Sequence, residues 1–313
     1  MQVSDRIGRR LKLHDLHVLM AVVEAGSMNK AAALLNTGQS AISRSIADLE
    51  QTVGVRLVNR SPRGVEPTPY GRALLDGGTA AFDDLRCAMK TIEFLADPTA
   101  GEVRIGSSAL LAASFVSALV DRLSQRYPGI VFHLVTGHVE ALHRELSGRK
   151  VDLVIARRFG PILDEQFDFE FLFDDSFVVA AGARSSWARR RKIELADLVN
   201  ESWVLPAPGS VIPSVVMEAF RARGLNYPRT TVVTESSEVR TSLLATGRYL
   251  TVFPASALRF SAIRSEIRIL PVKMPMAALP NGIVTLKNRA LGPVVQLFID
   301  SARDVAKSLV KRR

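Results

Sequence analysis

Two short helical patterns separated by a three-residue break occupy residues 27–54, SMNKAAALLNTGQSAISRSIADLEQTVG. The first pattern has a narrow apolar face that lets another helix come close: Ala31, Ala32, Leu34 and Leu35. In the second pattern the apolar residues recur at steps of four, three and four: Ile42, Ile46, Leu49 and Val53. Because such steps place side chains on one side of an α-helix, the segment predicts two amphipathic helices joined by a tight turn at 36–38.

The second helix carries short polar and basic side chains away from its apolar row, all within its first two turns. These residues are Gln39, Ser40, Ser43 and Arg44. Gln39 can pair with adenine through two hydrogen bonds, Arg44 can bind guanine or a phosphate, and the serines can bond to either. A turn followed by a helix with such an N-terminal face is typical of a DNA-binding helix-turn-helix. Periodicity alone fits an ordinary helical hairpin with a solvated polar face equally well.

Further elements are expected on both sides of this helical pair. An amphipathic helix precedes it, with apolar residues from Leu13 to Val23, and Gly26 ends that helix. After Gly54 the stretch VRLVNRSPRGVEPT predicts two short extended pieces around residues 61–64, which together form a wing. Arg60 and Arg63 lie on this wing, where they can reach phosphates.

Residues 69–97 predict a long linker helix with an apolar seam. Its apolar or small residues alternate at steps of three and four: Leu75, Gly78, Phe82, Leu85, Met89, Ile92 and Ala96. A seam of about three heptads favours pairing with a second copy of the helix, although packing against the chain's own body is an alternative. Two copies related by a two-fold axis would read an inverted repeat, with half-sites one helical turn or a multiple apart.

Strands and helices alternate in residues 98–313, which indicates an α/β fold. A first sheet is expected from 102–107, 130–136 and 151–156. A second sheet is expected from FEFLF (169–173), SFVVAAG (176–182), 202–206, 231–235 and 249–254, after which EIRILP (266–271) and NGIVTL (281–286) return to the first sheet. The prediction is therefore two subdomains, I at about 102–168 with 265–313 and II at about 169–264, separated by a cleft.

Ligands of open α/β sheets bind at the C-terminal ends of strands, where helix N-termini offer free N–H groups. The residues expected at those ends are Ser107, Ser108, Thr136, Gly137, Arg157, Gly209, Ser210, Glu235 and Ser236. Hydroxyl groups together with helix N-termini suit a carboxylate or a polyhydroxy compound. A capping or turn role explains each residue taken singly.

The first 71 residues resemble the LysR-type transcriptional regulators. The resemblance rests on GSMNKAAALLNTGQSAISRSIADLEQTVGVRLVNR and on the following PTPYG. It implies that Gln39, Ser40, Ser43 and Arg44 read bases and contact the DNA backbone, with Arg60 on the wing. Two residues depart from the family pattern: Gly38 stands where threonine is usual, and Val58 where phenylalanine is common.

The same resemblance implies the architecture and partners of the whole chain. The expected fold is α/β overall: a winged helix-turn-helix at 1–68, a linker and dimerisation helix at 69–97, and at 98–313 a two-subdomain effector domain resembling type 2 periplasmic binding proteins. That domain would hold its effector at Ser107, Ser108 and Thr136 in particular. The expected partners are double-stranded DNA, a small-molecule effector such as an organic acid or sugar, further copies of the chain as homodimer or homotetramer, and RNA polymerase, with no cofactor.

Composition and missing motifs bear on the rival classes. The net charge of +10 favours an anionic partner. Most of the surplus lies in 97–313, with 29 Lys and Arg against 21 Asp and Glu, so net charge supports DNA binding only weakly. No glycine-rich nucleotide loop or G-x-S-x-G motif supports an enzyme, and the histidines show no metal-site spacing.

A solute-binding protein would share the two-lobed pattern. The absence of an export signal and the 100 residues before the α/β part argue against that class. The longest apolar candidate, SALLAASFVSALV at 108–120, is too short to span a membrane, and a single cysteine, Cys87, fits a reducing compartment. A cytoplasmic protein without membrane contact is expected.

Overall fold

The structure is a computed structural model that describes residues 10–62, 64–158, 165–260, 266–275 and 278–310. The chain divides into two compact units, Met1–Met89 and Lys90–Arg313. Of the residues predicted to form a site, Arg63 lies outside the described part of the chain.

Between residues 10 and 67, the described part of the N-terminal unit consists of three helices and a β-hairpin. The elements are α1 (Leu13–Ala25), α2 (Met28–Leu34), α3 (Gln39–Val53), β1 (Val58–Ser61) and β2 (Gly64–Pro67). Gly26 and Gly54 end α1 and α3 in left-handed conformations, with φ of 64° and 84°. The two strands pair antiparallel. The predicted helix-turn-helix and its wing are therefore confirmed.

Most residues of the apolar rows predicted from the sequence form the core of this unit, but Leu34, predicted on the apolar face of α2, is 66% exposed. Ile42, Ile46 and Leu49 of α3 are at most 1% exposed. They pack with Ala31 and Ala32 of α2 and with buried residues of α1. Burial of one side of α3 leaves its opposite side on the surface.

A single long helix, α4 (Pro69–Ala96), follows the wing. Leu75 near its start packs partly buried against the core of the N-terminal unit, and Gly78 is buried. Further along, Leu85, Met89 and Ile92 are 47%, 56% and 59% exposed. The predicted seam thus divides: its first part contacts the chain's own body, and its later part is an exposed apolar row.

Two sheets with flanking helices form the remainder of the chain. The first sheet contains β3 (Ala100–Ser107), β4 (Gly129–Thr136), β5 (Leu153–Arg157), β6 (Phe167–Asp175) and β12 (Leu279–Leu286). The second contains β7 (Phe177–Gly182), β8 (Trp203–Leu205), β9 (Thr230–Val233), β10 (Leu250–Pro254) and β11 (Ile267–Ile269). Among the described residues, their strand orders are β4-β3-β5-β12-β6 and β11-β7-β10-β8-β9.

Helices cover the faces of these sheets. After β3, α5 (Ala109–Leu111) continues through a π-helical segment (Ala112–Val116) into α6 (Ser117–Arg126). The other α-helices in the described ranges are α7 (Val139–Ser147), α8 (Val211–Arg221), α9 (Ser237–Ala245), α10 (Ala255–Phe260) and α11 (Pro293–Val310), and two short 3-10 helices lie at Ser186–Arg189 and Leu195–Leu198. Parallel pairing of β3 with β4 and β5 confirms the α/β pattern.

Two strand assignments made from the sequence were wrong. FEFLF belongs to β6, which pairs antiparallel with β12 in the first sheet, and not to the second sheet. EIRILP contains β11, which pairs with β7 in the second sheet and does not return to the first. The chain crosses from the first sheet to the second at Ser176 and returns between β11 and β12. Apolar alternation identifies a strand but not its partner, which is why the sequence did not reveal these crossings. NGIVTL does lie in the first sheet, as predicted.

Each sheet has its own core, and we call the two layered parts subdomain I and subdomain II. In subdomain I, the ring centre of Phe115 in the π-helical segment lies 5.1 Å from the ring centre of Phe173 in β6, with the two rings tilted at 49°. In subdomain II, the Trp203 indole N–H donates to the Leu198 carbonyl at 2.8 Å, and its ring meets Phe220 edge-on. Because each subdomain has its own closely packed core, each presents a rigid surface to the space between the two.

Candidate functional site

The polar face of α3 is placed for contact with a partner. Gln39, Ser40 and Arg44 are exposed and Ser43 is partly exposed, on the side opposite the buried row of α3. Ser45 on the same helix donates to the Asp15 carboxylate of α1 at 3.1 Å, which fixes the helix against its neighbour. The helix begins after Gly38, which has no side chain to cap it, so its first N–H groups are free of a capping bond.

The wing is attached to α3 through one carboxylate. Oε1 of Glu50 accepts hydrogen bonds from the backbone N–H groups of Leu57 at 2.7 Å and Val58 at 3.2 Å. Arg60 follows on β1 with an exposed side chain, paired in register with Val65. Sequence reasoning did not single out Glu50, since its role depends on the fold of the following ten residues.

A cavity of about 310 Å³ lies between subdomains I and II. Six of the predicted effector residues line it: Ser108, Thr136, Gly137, Arg157, Ser210 and Glu235. The carboxyl ends of β3, β4, β5 and β8 meet there, as expected for an open α/β sheet. The volume suits a small organic molecule.

Three predicted effector residues do not line this cavity. Ser107 is 1% exposed, and its hydroxyl donates to the Ile155 carbonyl at 3.0 Å. Gly209 lies in an exposed turn with φ of 95°. Ser236 caps α9 by accepting from the Val239 N–H. Each of the three therefore has a local bonding, turn or capping role, which is the alternative given above for a residue at a strand end.

The loop before α8 is held in place by Glu235. Its Oε1 accepts from the Ala207 N–H at 2.8 Å, and the Ser210 hydroxyl donates to the Ala207 carbonyl at 3.1 Å. Ser210 therefore does not cap α8 with its side chain. The first N–H groups of α8, with the positive end of its dipole, lie at the edge of the cavity.

Arg157 is part of a buried ion pair within subdomain I, at its boundary with subdomain II. Its Nη2 lies 3.2 Å from Oδ2 of Asp175, whose side chain is 2% exposed. Asp175 also accepts from the Ser256 N–H at 3.0 Å and from the Ser256 hydroxyl at 2.6 Å. Burial lowers the pKa of Arg157, and the adjacent Asp175 opposes that shift. Since Ser256 belongs to α10, the carboxylate joins subdomain I to subdomain II.

Arg240 of α9 is a second buried arginine that lines the cavity, and sequence reasoning missed it. It is 2% exposed, with its guanidinium carbon 5.1 Å from the centre of the Phe253 ring. Burial lowers the pKa of Arg240 to about 10, while the charges of Glu235 and Glu238 oppose the shift. The available signal was its spacing of four from Leu244, which puts both side chains on the buried side of α9.

The part of the chain that the structure describes shows no sign of two other kinds of site. It contains no helix that is both long and apolar enough to cross a membrane. It also contains no group of three His, Cys, Asp or Glu side chains arranged to hold a metal ion. The candidate sites are thus the α3 face with the wing, and the cavity between the subdomains.

Two family models match the chain. Residues 13–72 match the bacterial regulatory helix-turn-helix protein of the lysR family, and residues 96–307 match the LysR substrate binding domain. A winged helix-turn-helix followed by a two-lobed α/β domain defines a ligand-responsive DNA-binding protein. The chain belongs to the LysR family of transcriptional regulators, whose members bind DNA and respond to small-molecule effectors.

Curated relatives match along almost the whole chain. The HTH-type transcriptional regulator GbpR of Azospirillum brasilense is 26% identical over 97% of this chain and 89% of its own length. The transcriptional dual regulator GltC of Bacillus subtilis is 27% identical over 93% of this chain and 96% of its own.

Solved structures show the same fold at lower identity. Full-length OxyR from Pseudomonas aeruginosa has a TM-score of 0.66 at 19% identity, covering 94% of this chain and 95% of that one. The LysR family regulator CbnR has a TM-score of 0.55 at 21% identity, covering 94% of this chain and all of that one.

Proposed function

We propose that this regulator reads an inverted-repeat operator through the N-terminal face of α3. Gln39, Ser40, Ser43 and Arg44 contact base edges and nearby phosphates, while Arg60 and Arg63 contact phosphates from the wing. The observation that carries this proposal is the exposure of these α3 side chains opposite a fully buried apolar row. Exposed amide, hydroxyl and guanidinium groups match the hydrogen-bonding edges of bases in the major groove.

Two copies of the chain bind together in this proposal. The exposed row Leu85, Met89 and Ile92 on α4 supports pairing of linker helices, because an exposed apolar row is covered in a stable assembly. Each copy comprises a DNA-binding domain at 1–68, a linker at 69–97 and an effector domain at 98–313. Dimers assemble further into tetramers if a second interface forms, and DNA-bound assemblies contact RNA polymerase in the cytoplasm.

The cavity between the subdomains is the effector site in this proposal, and it serves binding rather than catalysis. Ser108 and Thr136 supply hydroxyl donors and Arg157 supplies guanidinium N–H groups to an organic acid or a sugar, while Gly137 and Ser210 line the cavity beside them. A ligand that binds one relative orientation of the subdomains better than another shifts the population towards it. That shift changes the spacing of the DNA-binding heads through residues 97–101 and α4.

Mobility shift on DNA upstream of the chain's own coding region tests the proposal. Wild type is expected to give a competitor-resistant, salt-sensitive shift. Arg44→Ala is expected to abolish the specific shift and leave the melting temperature of residues 98–313 unchanged within the full chain. Arg122→Ala removes the same charge from an exposed position of α6 and is the matched control. Equal binding by wild type and Arg44→Ala would contradict the proposal.

A further inference from the structure

We propose that the effector is a monocarboxylate with an apolar substituent, whose carboxylate binds the buried guanidinium of Arg240. The inference rests on the proposed function, because it takes the cavity between the subdomains to be the effector site. It goes further by naming the charge of the ligand, the residue that selects it and the part of the cavity that receives its apolar end.

Arg240 is a buried cation with few partners among the described residues. A hydrogen bond joins its Nη1 to the Val252 carbonyl at 3.4 Å, and its Nε is buried with no hydrogen-bond acceptor in the described part of the chain. Within the described ranges, no carboxylate lies within 4.0 Å of its guanidinium nitrogens. A buried charge is costly unless it is paired, so an anion supplied from the cavity would complete this site.

Two other arginines with little-exposed side chains in the described ranges have their own carboxylates. Arg157, with a side chain 14% exposed, pairs with Asp175 at 3.2 Å. Arg289, with a side chain 5% exposed, pairs with Asp152 at 3.1 Å. Arg240 is 2% exposed as a residue, and the charges of Glu235 and Glu238 act on it without an ion pair within 4.0 Å in the described part of the chain. Arg240 is therefore the cation left for a ligand.

The acids around the cavity disfavour a second negative charge on the ligand. Asp175 already neutralises Arg157, and Glu235 stands at the cavity wall with its own negative charge. A dianion would meet Glu235 without a further unpaired guanidinium to balance it, whereas a neutral polyol would offer the buried N–H groups of Arg240 no charged acceptor. A carboxylate fits the planar fork of guanidinium donors through two parallel hydrogen bonds.

An apolar space adjoins the cavity beside Arg240. A second cavity of about 80 Å³ shares the wall residues Leu110, Ser114, Ser237 and Ala257 with the main one. Its remaining lining is mostly apolar, with Phe253, Leu258, Ile267 and Ala113, and includes the polar residues Glu238 and Thr241. Phe253 contacts the guanidinium of Arg240 and also lines this apolar space. A ligand held at Arg240 can therefore extend an apolar group over Phe253.

Calorimetry and thermal shift on the full chain test this inference. The probes are hexanoate, benzoate and phenylacetate, each with its neutral amide, together with succinate and glucose. We expect at least one monocarboxylate to bind and raise the melting temperature, and its amide to bind at least about tenfold more weakly, as loss of a charged hydrogen bond predicts. Equal binding of acid and amide, tighter binding of glucose or succinate, or no binding by any monocarboxylate would overturn the inference.

Substitution of Arg240 separates ligand recognition from a structural role. Arg240→Met is expected to weaken carboxylate binding about tenfold to a hundredfold while melting, without ligand, at or above the wild-type temperature, because a buried charge without a carboxylate is removed. Arg221→Met, at an exposed position of α8, is the control. If Arg240→Met does not fold, Arg240→Lys keeps the charge without the planar fork and should bind several-fold more weakly. An unchanged Kd in the variant would overturn the inference.

The two proposals fail in different measurements. A carboxylate that binds through Arg240 but leaves the mobility shift and footprint on DNA unchanged would contradict the proposed coupling to DNA, not the assignment of Arg240. A neutral ligand that changes the footprint and binds Arg240→Met as it binds wild type would contradict the assignment of Arg240 and leave the effector site standing.

Discussion

At the scale of single residues, two buried arginines at one cavity have opposite surroundings. Arg157 has the Asp175 carboxylate, which also binds the backbone and hydroxyl of Ser256. Arg240 has a long hydrogen bond to a carbonyl. The first arrangement holds the subdomains together without ligand, and the second leaves donors available for one. A single carboxylate therefore gives Arg157 a structural role beside its place at the cavity, whereas Arg240 keeps its donors for a ligand.

Asp175→Asn should strongly destabilise the effector domain. The substitution leaves the Arg157 charge buried without its carboxylate, which typically costs about 3–5 kcal/mol. Urea unfolding of the full chain measures this cost in the transition of the second unit. Asp304→Asn, which removes an exposed pair with Lys307 on α11, should change stability by less than about 0.5 kcal/mol. Equal effects of the two substitutions would contradict a structural role for the Arg157–Asp175 pair.

At the scale of elements, the wing depends on α3 through Glu50. Its carboxylate accepts two backbone N–H groups at the start of β1, and that strand carries Arg60. Burial of Ile42, Ile46 and Leu49 fixes the orientation of α3. The helix face and the wing are thus parts of one rigid surface, although they come from separate stretches of sequence.

Glu50→Ala should weaken DNA binding although the proposal assigns Glu50 no contact with DNA. Loss of the acceptor leaves the Leu57 and Val58 N–H groups without their partner, a cost of about 1–3 kcal/mol. Mobility shift should show weaker binding, and hydrogen exchange should be faster at these two amides. Glu50→Gln retains an acceptor oxygen and should keep most of both properties. Exchange rates that stay the same in Glu50→Ala would show that the carboxylate does not hold the wing.

A charge in the exposed row of α4 should separate the copies of the chain. Met89→Asp places a carboxylate among Leu85 and Ile92, where pairing of two helices would bury it. Light scattering coupled to size exclusion should show a loss of dimer. Asp84→Lys changes an exposed charge on another side of the helix and serves as control. A Met89→Asp protein that stays dimeric at low concentration would place the dimer interface elsewhere.

Sequence patterns predicted the elements better than their partners. The steps of three and four along α3 correctly predicted its buried row, because helical periodicity depends only on residues close together in the sequence. The sheet assignments of 169–173 and 266–271 were wrong, because pairing with β12 and β7 is decided by residues far along the chain. The roles of Glu50 and Arg240 were not predicted for the same reason, since each depends on residues that pack against the side chain only in the folded chain.

At the scale of the whole molecule, a DNA-reading unit and a two-subdomain ligand domain belong to one chain. The family models cover both parts, at residues 13–72 and 96–307. Six of the nine residues predicted for the effector site do line the cavity, since strand ends converge in any open α/β sheet. The three others serve the local backbone, a distinction that needs side-chain positions.

Selection of bound sequences from random duplex DNA by the purified full chain tests the proposed DNA recognition directly, because the protein itself chooses the sequence. We expect enrichment of an inverted repeat whose half-sites lie one helical turn or a multiple apart, as a two-fold pair of α3 helices requires. Arg44→Ala should lose this enrichment, and Arg122→Ala should keep it. Recovery of sequences with no shared motif, or of the same motif by wild type and Arg44→Ala, would contradict sequence reading through α3.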